Sequence, residues 1–150
     1  MRAHRSLHTV LVDLPGPVAA TTARMAVEGF GNRFTPVAGS FFDPLPTGAD
    51  VYALVNVIHN WSDEQAATIL RRCAEAGRED STFVIVERLM DDTDPRAITV
   101  MDLRMFLLLG GRERTASQII KVASSAGLAH QSTFKPCRGL HVLVFRKERS

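Results

Sequence analysis

Apolar and polar positions along the chain fall into short runs of two kinds, separated by turn residues. His8–Leu14 (HTVLVDL) is a short apolar strand that ends at Asp13 and runs into a Pro15-Gly16-Pro17 turn. Val18–Gly29 places Val18, Thr22, Met25 and Ala26 on one helical face, and Gly29 closes it. Arg33–Gly39 is a weak strand whose Pro36, lacking an N–H, belongs at a sheet edge. After a loop broken by Pro44 and Pro46, the almost unbroken apolar run Val51–Ile58 predicts a strand buried on both faces of a parallel sheet. His59, Asn60 and Trp61 end it. Ser62 and Gln65 then form a capping box, which predicts a helix over Asp63–Ala76.

Ser81–Leu89 is a second apolar strand, with Glu87 near its carboxyl end. Ala97–Leu109 is a helix apolar on all sides, as expected of one buried on more than one side, and Gly110-Gly111 breaks it. Thr115 and Gln118 make another capping box, opening a helix to about Ala126 that Gly127 stops. Leu128–Pro136 and Gly139–Lys147 are two strands close enough to pair as an antiparallel hairpin. Met1–Leu7 is short and polar and reads as the tail of a helix. Alternating strands and helices with a final hairpin predict a doubly wound α/β sheet, mostly parallel with an antiparallel edge.

Composition narrows the class. A chain of 150 residues with no long linker reads as one domain, and 45% hydrophobic with 23% charged residues is ordinary for a globular protein. A net charge of +2 with scattered basic residues argues against nucleic acid as a partner. Two cysteines are too few for a disulfide framework or a zinc site. No signal-peptide core or membrane-length apolar run is visible, so a cytoplasmic location is expected.

The candidate chemistry lies where strands end, because ligands of open parallel sheets bind beyond the carboxyl ends of the strands. Asp13 is either a turn residue or a carboxylate whose two oxygens match the vicinal diol of a ribose. His59 is either a structural histidine or a general base that titrates near neutral pH. Glu87 favours the second reading, since a carboxylate on the ring N–H would fix the tautomer and favour the protonated form. Glu113 is a second carboxylate, in a loop between Gly-Gly and a helix start, and is otherwise simply solvated alongside Arg112 and Arg114. Gly29-Phe30-Gly31 follows a helix and lacks a third glycine, so it is no nucleotide loop. His4 and His8 have no strong third partner for a metal.

Five segments together resemble the S-adenosylmethionine (SAM)-dependent O-methyltransferases of plant phenolics and bacterial polyketide and carotenoid pathways. They are LVDLPGPV (11–18), VAGSFFDPLPTGADVY (37–52), VIHNWSDEQAATILRRCAEA (57–76), FVIVERLM (83–90) and MDLRMFLLLGGRERT (101–115). The resemblance implies a Rossmann-like fold with SAM as cofactor. It assigns Asp13 to the SAM ribose and Ser40 and Phe41 to the adenine. His59 becomes the base that deprotonates a hydroxyl of a small, aromatic or polyketide-like acceptor, with Glu87 and Glu113 as its carboxylate partners. Asn60, in place of the family's frequent aspartate, lies beside the acceptor, and Met101, Met105 and Leu108 line its pocket.

The resemblance begins after the family's first strand and glycine-rich SAM loop. It therefore implies a partial catalytic domain, without the family's N-terminal dimerisation domain and with a weakened SAM half. Two alternatives follow: a non-catalytic module that self-associates, or half of a split enzyme completed by another chain.

Overall fold

In the computed structural model, which describes residues 1–90, 113–137 and 139–148, the strands fall into two sheets belonging to separate units. The first unit, Met1–Leu45, contains β1 (Thr9–Asp13), α1 (Pro15–Val27) and β2 (Phe34–Ala38). β1 and β2 pair in parallel from Thr9 opposite Phe34 to Asp13 opposite Ala38. Pro36 therefore stands on a strand with a single neighbour, as its missing donor requires.

Two expectations change here. The Pro-Gly-Pro turn is instead the first turn of α1, because proline's absent N–H costs nothing where a helix has no partner to offer. Gly29, with φ of 77°, follows the helix as predicted. Met1–Leu7 forms no helix. Its backbone gathers around the Arg33 guanidinium, which donates to the carbonyls of Arg5 (3.0 Å), His4 (3.1 Å), Met1 and Leu7 (both 3.4 Å).

The second unit, Pro46–Ser150, holds β3 (Val51–Val55), α2 (Asp63–Ala76), β4 (Thr82–Glu87), α3 (Ala116–Ser124), β5 (Leu128–Cys137) and β6 (Leu140–Lys147). The sheet order is β3-β4-β6-β5. β3 and β4 are parallel, and the hairpin docks through β6, antiparallel to β4, with β5 outermost. Both predicted capping boxes close, Ser62 with Gln65 and Thr115 with Gln118. Ile69 and Leu70 of α2, Ile119 of α3, and Leu54, Phe83, Ile85, Leu143 and Phe145 of the sheet make up the core. Each such side chain contributes about 1.5–3 kcal/mol by leaving water.

β3 departs from its predicted form in two ways. It stops at Val55 rather than Ile58, because Asn56 takes a left-handed backbone (φ 51°) that asparagine tolerates better than its apolar neighbours would. It is also buried on one face only. Leu54 points into the core, whereas Val51 and Val55 each keep 54% of their surface exposed. The predicted apolar helix at 97–109, with Met101, Met105, Leu108 and Gly110-Gly111, lies outside the described residues.

Candidate active site

After Asn56 the chain makes a 3-10 turn, Ile58–Asn60, and His59 projects from this turn rather than from the strand itself. Glu87 ends β4, in register with β3. Glu113 immediately precedes Arg114, whose backbone bridges to Leu89 and accepts the Met90 N–H at 3.1 Å. Three separate segments thus meet at the carboxyl ends of two parallel strands.

The His59 ring lies between two carboxylates. Its Nδ1 is 3.4 Å from Glu113 Oε1 and 3.8 Å from Glu87 Oε2. Glu87, 1% exposed, also shapes the backbone: its Oε1 accepts the N–H groups of Ile58 (3.0 Å) and His59 (3.4 Å). Among the described residues its Oε2 has no hydrogen bond, and the His59 ring Nδ1 lies 3.8 Å from it. Burial consequently pushes the Glu87 carboxyl above the usual range, and His59 partly opposes that push. The Glu113 carboxyl on the ring raises His59 above its usual 6.5, against its own burial, and Glu87 adds to the effect. A small cleft lined by Ile58, His59, Glu87, Arg88, Arg114 and Ile119 opens beside them.

Glu113 is not a solvated loop residue. It is 9% exposed, and Arg114, expected to be solvated with it, is 2% exposed. Arg114 Nε and Nη2 reach Asp63 Oδ1 (both 2.9 Å), Nη1 donates to the Ile58 carbonyl (2.9 Å), and Nη2 donates to the Trp61 carbonyl (2.7 Å). The sequence contained a signal for this. An arginine one residue before the N-cap Thr115 sits at the positive end of a helix dipole, an unfavourable place unless acceptors compensate it. Asn60 is half-buried and donates from its side-chain amide to the Asn56 carbonyl at 3.4 Å.

In the first unit, Asp13, Ser40 and Phe41 come together at or just beyond the carboxyl ends of β1 and β2. Asp13 Oδ1 accepts the Leu14 N–H at 2.7 Å, which is the turn role. A carboxylate accepts several hydrogen bonds, so one lone pair so used leaves capacity for two hydroxyls. Ser40 Oγ accepts the Phe42 N–H at 3.2 Å, and Phe41 is half-buried beside it. A carboxylate with spare acceptor capacity, a serine hydroxyl and an aromatic ring are chemically compatible with a nucleoside.

A histidine and two acidic side chains gathered beyond the ends of two parallel strands, within an α/β fold, stand where such sheets bind ligands. A family model described as the O-methyltransferase domain matches residues 1–129, and the chain belongs to that family. It is 43% identical over 129 residues to the 2,7-dihydroxy-5-methyl-1-naphthoate 7-O-methyltransferase of Streptomyces carzinostaticus, a match covering 86% of this chain and 38% of that protein. It is 42% identical over 126 residues to aclacinomycin 10-hydroxylase RdmB of Streptomyces purpurascens, covering 82% of this chain and 34% of that protein. Among solved structures, NcsB1, an O-methyltransferase from neocarzinostatin biosynthesis in complex with S-adenosyl-L-homocysteine (SAH) and 1,4-dihydroxy-2-naphthoic acid, superposes with a TM-score of 0.91. That match has 38% identity over 97% of this chain and 44% of that one. The mitomycin 7-O-methyltransferase MmcR superposes with a TM-score of 0.92 at 27% identity, covering 97% of this chain and 43% of that one. The chain spans roughly two-fifths of the length of these relatives.

Proposed function

We propose that this chain carries the acceptor-activating part of a SAM-dependent O-methyltransferase, in which His59 is the general base for a hydroxyl on a small aromatic acceptor. The observation that carries the reading is the His59 ring set 3.4 Å from Glu113 and 3.8 Å from Glu87 at the ends of β3 and β4. Glu113 on Nδ1–H holds the tautomer that leaves Nε2 basic. SAM, when bound, supplies an electrophilic methyl group on a sulfonium. His59 Nε2 takes the acceptor's hydroxyl proton as the oxygen becomes nucleophilic, and the two carboxylates offset the charge that the imidazole gains. Asn60 borders the acceptor, with Met101, Met105 and Leu108 assigned to its apolar wall. Asp13 holds the ribose hydroxyls, and Ser40 and Phe41 hold the adenine. Two relatives whose names specify naphthoates support the acceptor class.

These 150 residues span roughly two-fifths of the relatives' length, and taken alone they should bind SAM and SAH more weakly than the full-length relatives do. Self-association, or a complementing chain, is the corresponding proposal for how the site is completed.

The test is methyl transfer from labelled SAM to a dihydroxynaphthoate, run beside calorimetry with SAH. His59→Ala should lower turnover by about 10²–10⁴-fold, the usual contribution of a general base, with SAH binding unchanged. Retained turnover in that variant removes His59 from the role. Measurable SAH binding with no methylated product from the unmodified chain favours the non-catalytic module instead. A hydroxylated product would align the chain with its hydroxylase relative.

A further inference from the structure

We infer that Arg114 is the positioning residue of this site: its buried guanidinium sets the distance at which His59 and Glu113 meet. The inference rests on the reading of His59 as the base. Its acceptors among the described residues bracket that histidine, with the Ile58 carbonyl before it and the Trp61 carbonyl and Asp63 carboxylate after it. Its own backbone is tied to Leu89 and Met90, just beyond Glu87. Glu113 is the residue immediately before it in sequence. One residue therefore joins three segments: its side chain holds the turn that carries the base, and its backbone holds the end of β4 that carries one carboxylate and continues into the peptide that carries the other.

The geometry needs a guanidinium. Its planar fork addresses three acceptors at once, whereas an ammonium on a flexible stem is a point charge that cannot hold the same spacing. An arginine this buried would also be costly were it not satisfied from several directions. Among the described residues, the charged and titratable groups around His59 are Glu87 at the end of β4, Glu113 beside Arg114, and Arg88 and Arg114 itself in the adjoining cleft. Of these, Glu113 contributes most to the ring's raised proton affinity. Loosening Arg114 should release that contact first.

The experiment is an NMR titration of the His59 ring protons in the full chain, assigned by their absence in His59→Gln. It needs no substrate, so a failure of methyl transfer and a failure of this inference are seen separately. Arg114→Lys, which keeps the charge and most of the volume, should lower the proton affinity of His59 by ~3–10-fold. Glu113→Gln should do the same, and adding Arg114→Lys to it should change little more, because both act through one contact. Added guanidinium should restore the titration in Arg114→Ala. A folded Arg114→Lys chain in which His59 titrates as before overturns the inference. Where Arg114→Lys does not fold, Asp63→Glu decides, since it keeps the charge but displaces the anchor: lowered affinity supports the inference and an unchanged titration overturns it.

Discussion

Glu87 Oε1 accepts the backbone N–H of Ile58 at 3.0 Å, so the carboxylate beside the base also holds the turn that presents it. The two roles separate by mutation. Glu87→Gln keeps an oxygen for the turn and removes the charge, and should leave stability close to wild type while lowering the proton affinity of His59. Glu87→Leu leaves a buried N–H without an acceptor and should cost about 1–3 kcal/mol. Urea midpoints for the two variants, compared with the unmodified chain, check both outcomes.

Stability should depend on pH through the same pair. His59 and Glu87 each hold a proton to higher pH in the folded chain than their usual 6.5 and 4.5. A group with a raised folded-state value contributes its stabilisation fully below its unfolded value and loses it as pH rises through the folded one. Unfolding free energy from this pair should therefore decline above 4.5 for Glu87 and above 6.5 for His59. Denaturant titrations at a series of pH values should show the decline, and Glu87→Gln with His59→Gln should flatten it. A slope unchanged in the double variant would count against the pair.

If His59 is the base, it must lose its proton before it can accept one, so turnover should rise with pH along a limb set by His59. Glu113→Gln removes the main cause of the raised affinity and should move that limb to lower pH, even as turnover falls. A pH–rate profile of the two proteins decides this.

Gly77 is held by space rather than by backbone angle. A Cβ there would lie 2.6 Å from Phe83 Cζ and 3.3 Å from Ser81 Cβ. Phe83 is 2% exposed and stacked on Tyr52 with ring centroids 5.6 Å apart, so it has little room to yield. Gly77→Ala should destabilise the chain by about 1–3 kcal/mol, as overpacked cores do, measurable as a lowered urea midpoint.

Much of this arrangement was legible in the amino-acid pattern, for identifiable reasons. Capping boxes are local chemistry, and Ser62 and Thr115 both open helices where they were expected. The hairpin over 128–147 was visible as two short strands at close spacing, but its docking through β6 was not, since sheet order is decided by distant pairs. The end of β3 is hidden in the sequence because Asn56 is one polar residue inside an apolar run. Its left-handed backbone is what turns His59 out of the strand. The meeting of His59 with Glu87 and Glu113 was foreseen from strand ends and family motifs. The burial of Arg114 is marked in the sequence only by its place one residue before the N-cap Thr115, because two of its acceptors are backbone carbonyls, which carry no residue signature.

The insertion of β6 between β4 and β5 also orders events in time. β4 reaches β3 across a single helix and β5 meets β6 with Cys137 opposite Leu140, whereas Phe83 must wait for Phe145, far along the chain, to close its other side. Loop-closure entropy favours the nearer pairings, so β3, α2 and β4 should assemble early, with Glu87 already clasping the Ile58 amide, and β5 should pair with β6 independently of them. Docking of that hairpin on β4 comes last. Pulse-labelled hydrogen exchange should find amides within each of these two pairs protected before those bonded between β4 and β6. The turn that presents the histidine would then be held by Glu87 before the sheet beneath it is whole, with Glu113 and Arg114 joining afterwards.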